Sequence, residues 1–257
     1  MIPHLAPGEL SPEERVLQSH LEDMIMISQR TGRARFSAFL TSREQQIAMA
    51  AAGRMGLVGY RFFSGYEGGE RAVFGVSDGD GGPDPSLFPI RAVTIRYRKA
   101  DRLNHRDILG ALMSLLIKRQ SVGDILIGEG QAALFVLDSV QPLALAMDRV
   151  GGVGVSCAAG LPDPLPSGPA LVDVEGVVSS MRLDCLVSML AGVSRGEADR
   201  LIRSGLVSRQ GVRTENPSGQ VSEGETISIR GYGKYMLCAR GANTRKGRIH
   251  VRCKKYS

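Results

Sequence analysis

Apolar residues recur at two different periods along this chain, and the changes of period divide it. Between about residues 9 and 55 the spacing is helical: Val16, Leu17, Leu21, Met24 and Ile25 share a stripe, and Ser42 with Gln45 three positions on can open a second helix reaching Met55. From Tyr60 to Val76 the pattern turns extended, with a Gly-rich turn at Gly65 to Glu70, and residues 77–86 form a loop. Ile90 to Arg98 then alternates apolar and basic residues, and Asn104 can cap a helix in which Ile108, Leu109, Leu112, Leu115 and Leu116 share a face. Two apolar runs, 122–127 and 132–137, flank Gly128-Glu129-Gly130 as a hairpin. A helix over Ser139 to Arg149 and a strand over Val153 to Cys157 complete the order β-α-β-β-α-β, the ferredoxin-like signature.

Residues 158–170 hold four Pro and two Gly without periodicity, which reads as a linker. Beyond it, Leu183, Leu186, Val187 and Leu190 make one face of a short helix that Gly192 ends. Ser194 can cap a second, with Glu197 at the capping-box position and Ala198, Leu201 and Ile202 facing inward. Gly205 closes that helix, and short strands follow at Leu206-Val207, Val212, Val221 and Ile227 to Ile229, with Glu223-Gly224-Glu225 as a corner. The expectation is therefore an α+β, multi-domain chain: a helical N-terminal region (1–57), a ferredoxin-like or RRM-like domain (58–157), a Pro/Gly-rich linker (158–176), a small two-helix domain (177–235) and a basic C-terminal tail (236–257).

Charge sharpens this division. Residues 179–257 contain 15 Lys+Arg against 6 Asp+Glu, whereas residues 1–178 contain 17 against 20. After Glu225 there is no acidic side chain, while Arg230, Lys234, Arg240, Arg245, Lys246, Arg248, Arg252, Lys254 and Lys255 follow. Such a field attracts polyanions, and a solvated tail that aids solubility is the competing reading. With 257 residues, 43% hydrophobic and 23% charged, the composition is that of an ordinary globular protein. No stretch approaches the ~18 to 20 unbroken apolar residues of a spanning helix, so no membrane association is expected. The first fifteen residues lack the apolar core of a signal peptide, and cytoplasmic residence follows as an expectation. Cys157, Cys185, Cys238 and Cys253 are far apart and the four His do not cluster beside them, so neither a metal site nor a cofactor is expected.

Candidate chemistry concentrates on the second short helix. Gly196, Arg200 and Arg203 fall on its solvent side, while Arg195 occupies its first turn, where a helix N-terminus plus Arg can seat a phosphate. The succession Arg182-Leu183-Asp184, Ser194-Arg195, Ala198, Leu201-Ile202, Gly205, Val207 and Gly224 to Tyr235 (GETISIRGYGKY) closely resembles the S-four RNA-binding domain over about residues 179–235. The resemblance implies an L-shaped helix pair that grips double-helical or junction RNA through its backbone. Carried over, it places Arg182, Ser194, Arg195, Arg200 and Arg203 against RNA, with Arg209 and Arg213 on the following turn and Lys234 beyond. This sequence departs from the family at Arg209-Gln210-Gly211, where an Asn-Gly turn is common.

Upstream, Arg61 to Glu67 (RFFSGYE), His105 to Leu112 (HRDILGAL), Ile117-Lys118-Arg119 and Val122 to Ile125 (VGDI) resemble the YlmH family of bacterial S-four proteins. That resemblance implies a non-enzymatic factor with no cofactor, whose partners are structured RNA (rRNA and tRNA) and the large ribosomal subunit, acting in translation quality control; cell-division proteins are possible further partners. Arg96, Arg98, His105, Arg106, Lys118 and Arg119 are secondary RNA-binding candidates, with a solvated face the alternative.

Two rival readings stay open. In the first, the central domain is an enzyme acting on an RNA-linked substrate through His105, Asp107 or Asp124; in the second, the chain is an interaction protein of the division machinery. His105-Arg106-Asp107 copies a kinase triplet, but Leu112 stands where a kinase needs Asn and no Gly-rich phosphate loop precedes it. Arg182-Leu183-Asp184 resembles a pseudouridine synthase segment, but too little chain follows for a catalytic domain, and Asp184 reads as an Arg-pairing or helix-stabilising group. Gly151 to Gly154 imitates a GXXG loop without the helix that should follow. Aromatics are sparse, with no Trp, 6 Tyr and 7 Phe, which favours recognition of RNA shape and phosphate over base reading.

Overall fold

The computed structural model describes residues 10–77, 79–166, 171–243 and 247–256. It divides into two compact units, Met1–Gly168 and Pro169–Ser257. Among the described residues, no helix is long and apolar enough to cross a membrane.

The first unit opens with α1 (Pro12–Thr31), β1 (Arg35–Leu40) and α2 (Ser42–Arg54), followed by β2 (Tyr60–Phe63) and β3 (Ala72–Val76). Helix α1 starts where it does because Ser11 and Glu14 satisfy each other's backbone N–H groups, and it ends at Gly32, whose φ of 64° a side chain would resist. The capping box of α2 is Thr41 with Glu44, one residue earlier than the Ser42 and Gln45 expected. Leu21 and Ile25 of α1 and Ile47, Ala48, Ala51 and Ala52 of α2 close over Leu40, Phe74 and Val76. Strands β1, β3 and β2 form an antiparallel sheet in that order.

The N-terminal region is therefore not purely helical, and β2 and β3 belong with it rather than with the ferredoxin-like sheet. Strand β1 escapes a sequence reading because it is apolar on both faces: Leu40 enters the helix side while Phe36 and Phe39 enter the other. An irregularity between Phe36 and Phe39 breaks the alternation further, and there the Phe74 N–H donates to the Ser37 hydroxyl at 2.9 Å.

The ferredoxin-like order appears in β4 (Ile90–Arg96), α3 (His105–Ser114), β5 (Val122–Ile127), β6 (Gln131–Leu137), α4 (Gln141–Leu145) and a small hairpin, β7 (Arg149–Val150) with β8 (Val153–Gly154), before β9 (Ser156–Ala159). The sheet runs β5-β6-β4-β9, antiparallel throughout. Helix α4 is shorter than expected, and the edge strand begins at Ser156 rather than Val153, because Val150 to Val153 turn back on themselves through Gly151, with φ 58°. One face of this sheet packs on α3 and α4 through Val93, Ile95, Ile108, Leu112, Leu134 and Ala144. The other face is covered too. Leu126, Ala133 and Phe135 meet Phe39, Val73 and Phe88 of the preceding segment, so the open sheet face through which RRM-type modules stack bases is occupied by protein.

The second unit contains β10 (Leu171–Val178), α5 (Leu183–Ala191), α6 (Arg195–Arg203), β11 (Val207–Arg209), β12 (Val212–Arg213), β13 (Thr226–Ile229), β14 (Gly233–Asn243) and β15 (Ile249–Tyr256). Its six-stranded sheet has the order β10-β15-β14-β13-β11-β12. Leu183, Leu186, Val187, Leu190, Ala198 and Ile202 cover one face, packing on Val207, Ile227, Ile229, Leu237, Val251 and Cys253. Two expectations change here. The segment read as a basic tail is folded into the sheet as most of β14 and all of β15, and the stretch read as a linker runs from the end of β9 into β10. Register pairing of β10 with β15 over their whole lengths supplies the backbone partners that a free tail would lack.

Candidate nucleic-acid interface

The joint between α5 and α6 is three residues long, and each has a function. Gly192 takes φ 66° and ends α5, and the Val193 carbonyl accepts the Ser188 hydroxyl at 2.6 Å. Ser194 then caps α6 by accepting the Glu197 N–H at 3.2 Å. The expected reciprocal bond from Glu197 is not made; its carboxylate pairs with Arg200 instead.

Asp184 sits in the first turn of α5 and is 4% exposed. Its Oδ1 accepts the Cys185 N–H at 2.9 Å and Nε of Arg182 at 3.1 Å. Its Oδ2 accepts Nη2 of Arg182 at 3.0 Å and, from Arg195, Nε at 3.0 Å and Nη2 at 2.9 Å. Burial pushes this carboxyl up, but the hydrogen bonds and positive charge of Arg182 and Arg195 outweigh it and hold the group down at about 2. One buried anion thus fixes two guanidiniums whose side chains remain 36% and 58% exposed. Arg195 occupies the first turn of α6, and its guanidinium turns back to Asp184 of α5.

The remaining candidates separate into distinct environments. Arg200 and Arg203 are exposed on α6, Arg203 pairing with Asp199 at 2.8 Å. Arg209 is pinned in β11 by Glu225 and by the Gln220 carbonyl, each at 2.6 Å from Nη2, and its side chain is 25% exposed. Arg213 donates to the carbonyls of Gly205 at 2.7 Å and Ser204 at 3.2 Å, closing the C-terminus of α6. Lys234 lies on β14 with its ammonium 4.9 Å from the centre of the Tyr256 ring. The helix pair therefore brings together Arg182, Ser194, Arg195, Arg200 and Arg203, while Arg209, Arg213 and Lys234 stand elsewhere. In the Arg209-Gln210-Gly211 departure, Gln210 takes φ 49° and Gly211 φ 78°, and the Gln210 carbonyl oxygen Oε1 accepts Thr226 N–H and hydroxyl at 3.1 and 3.0 Å. Gln thereby fills a position that usually favours Asn.

In the first unit, Arg96, Arg106 and Lys118 are exposed, and Arg98 pairs with Asp101 at 2.8 Å. Arg119 donates Nη1 to the Val122 carbonyl at 2.6 Å, and Arg71, absent from the sequence-based candidates, donates Nε to the same oxygen at 3.0 Å. His105 opens α3; partial desolvation, then the charge of Arg119, holds its imidazole below the ordinary range. Asp107 closes the Asn104 capping box. Asp124 accepts the Tyr66 hydroxyl at 2.9 Å and the N–H groups of Glu70 at 2.6 Å and Arg71 at 3.2 Å. Asp107 and Asp124 spend their carboxylates on the α3 cap and on the Tyr66 loop, and the charge of Asp124 also reaches His105. Among the described residues, no group of three or more His, Cys, Asp or Glu is placed to hold a metal ion.

Two family patterns match the chain. Residues 83–160 match one described as "Putative RNA-binding domain in YlmH", and residues 181–227 match the S4 domain. The ribosome-associated protein quality control protein P2 of Bacillus subtilis (strain 168) is 33% identical over 246 residues, covering 93% of this chain and 94% of that protein. The solved structure of the cell division protein ylmH from Streptococcus pneumoniae superposes with a TM-score of 0.53 at 20% identity, over 63% of this chain and all of that one, a likeness of fold. The full-length relationship and the two domain matches agree with the motifs that the two units display: the chain belongs to the YlmH family of S4-domain proteins.

Proposed function

We propose that this protein is a cytoplasmic, non-enzymatic factor that binds structured rRNA or tRNA on the large ribosomal subunit through the α5/α6 face, in translation quality control or rescue of obstructed subunits. The carrying observation is the buried Asp184 that presents Arg182 and Arg195 beside the exposed Arg200 and Arg203. Guanidiniums held in place before binding lose less side-chain entropy on meeting phosphate, and their planar forks suit it. The quality-control name of the B. subtilis relative supports the ribosomal setting. The covered sheet of the first unit supports recognition by phosphate and shape over base stacking there.

Sedimentation of tagged protein with ribosomal subunits from its own host, at two salt concentrations, tests this. Salt-sensitive co-migration with the large subunit, lost on replacing Arg200 and Arg203 by Glu, is the expected result. Co-migration with no subunit and no tRNA overturns it and turns attention to a division partner. Turnover of an RNA-linked substrate that disappears on replacing His105, Asp107 or Asp124 by Ala, with the fold intact, overturns the non-enzymatic part.

A further inference from the structure

The strands formed by the basic C-terminal stretch place its cations on a defined surface. Ile249, Val251 and Cys253 enter the core beneath α5 and α6, so alternation along β15 turns His250, Arg252, Lys254 and Tyr256 to the opposite side of the sheet. On that side Lys234 stands opposite Tyr256 and Met236 opposite Lys254, and the next strand offers Thr226 and Ser228. Among the described residues of this unit, both helices lie on the other face.

The surface has graded edges. At one, Asp173 and Glu175 of β10 stand opposite Lys254 and Arg252, and Arg252 Nε is 3.0 Å from Glu175 Oε1. At the other, Arg213 of β12 reaches the carbonyls that end α6, the helix carrying Arg200 and Arg203. From that edge a cross-strand row leads through Ser208 and Ser228 to Lys234 and Tyr256. The face offers cations, hydroxyls and the Tyr256 ring, and its apolar side chains among the described residues, Met236 and Val177, lie apart, opposite Lys254 and His250, unlike the contiguous apolar centre of a stable protein interface. Lysine and arginine beside an aromatic ring suit single-stranded nucleic acid, whose phosphates follow the charges while a base stacks.

We infer that this sheet face is a second RNA surface, which takes a single-stranded segment continuing from a duplex held at α5 and α6, with phosphates at Lys254 and Arg252 and a base against Tyr256. The inference rests on the RNA-binding reading above and adds the class of RNA: a duplex with a single-stranded extension.

The test uses the full chain and fluorescence anisotropy with one hairpin RNA, blunt or carrying a 5′ or 3′ single-stranded extension of about eight nucleotides, within the usual span of such sites. The wild type is expected to bind one extended hairpin more tightly than the blunt one. Lys254→Glu with Tyr256→Ala should lose roughly tenfold on that extended RNA and leave the blunt hairpin unchanged. Glu175→Gln, which releases Arg252, should tighten binding of the extended RNA, a gain that misfolding cannot produce. Arg200→Glu with Arg203→Glu should weaken both RNAs. Equal wild-type affinity for blunt and extended hairpins, or sheet-face variants that bind the extended RNA as the wild type does, overturns the inference while leaving the α5/α6 reading standing. Failure of the wild type to bind any hairpin overturns both. Sheet-face variants that keep every RNA affinity but lose ribosome association make the face a protein-docking surface and overturn the inference as well.

Discussion

Asp184 and Arg195 belong to different helices, yet one guanidinium delivers two N–H groups, at 3.0 and 2.9 Å, to a single oxygen of the carboxylate. Arg182 brings two more donors to the same group. The arrangement locks the angle between α5 and α6 and orients two cations at once. Its energetic signature is pH dependence. The folded value of about 2 lies below the ordinary 3.8, so the stabilisation is complete above about pH 4 and is lost as pH falls toward 2. It amounts to something on the order of 2 kcal/mol. Asp184→Asn, close in shape to the protonated carboxyl, should cost about the same 2 kcal/mol at neutral pH, because the two guanidiniums left behind are partly exposed to water. Urea midpoints measured between pH 2 and 7 check both, with wild type and variant converging at the acid end.

Two glycines, one within α6 and one just past its end, should respond oppositely to alanine. Gly205 has φ 66°, and an added Cβ would collide with the Arg213 guanidinium that closes the helix. The left-handed backbone costs about 1 to 2 kcal/mol with a side chain, and displacing Arg213 forfeits about 1 kcal/mol more. Gly196 is exposed, with nothing within 4 Å of an added Cβ, so Gly196→Ala should stabilise by about 0.5 kcal/mol. Thermal melts of the two variants read the difference directly.

Much of this architecture is legible where one face of an element is apolar and the other polar. Leu183, Leu186, Val187 and Leu190 announce α5, and the βαββαβ order of residues 90–159 follows from alternation and glycine turns. Strand β1 is illegible because Phe39 and Leu40 serve two different cores. Strand β15 carries a legible signal under a stronger one: Ile249, Val251 and Cys253 alternate with His250, Arg252 and Lys254, a period of two that the density of charge obscures. At the candidate site, periodicity gives the solvent side of α6, which holds Arg200 and Arg203. It cannot show that Arg209 and Arg213 spend their donors on Glu225 and on the end of α6, because those partners are set by tertiary packing.

Asp124 joins the glycine-rich loop of residues 64–71 to β5, receiving the Tyr66 hydroxyl and two backbone N–H groups. Tyr66→Phe removes one donor and keeps the ring stacked on Phe135, 4.6 Å between centres, so a loss of about 1 kcal/mol is expected. Asp124→Ala leaves the Glu70 and Arg71 N–H groups without their acceptor and should cost about 2 to 4 kcal/mol. Amide exchange at Glu70 and Arg71 should accelerate in the second variant and change little in the first.

Exposed and pinned arginines should separate cleanly in salt titrations. Arg200 and Arg203 are 77% and 65% exposed, and their pairs with Glu197 and Asp199 are surface pairs worth about 0 to 1 kcal/mol. Arg200→Gln and Arg203→Gln should therefore leave the melting profile nearly unchanged while weakening RNA binding. For every phosphate that no longer meets a cation, the slope of log K against log salt should shrink by about 0.7 to 0.9. Arg209→Gln should do the reverse, because that guanidinium holds Glu225 and the Gln220 carbonyl together. Its removal leaves a half-buried carboxylate without its partner, lowering stability while the salt slope of the folded protein stays at the wild-type value. A lowered slope for Arg209→Gln with unchanged stability would instead place that side chain on the RNA and show that its internal bonds yield on binding.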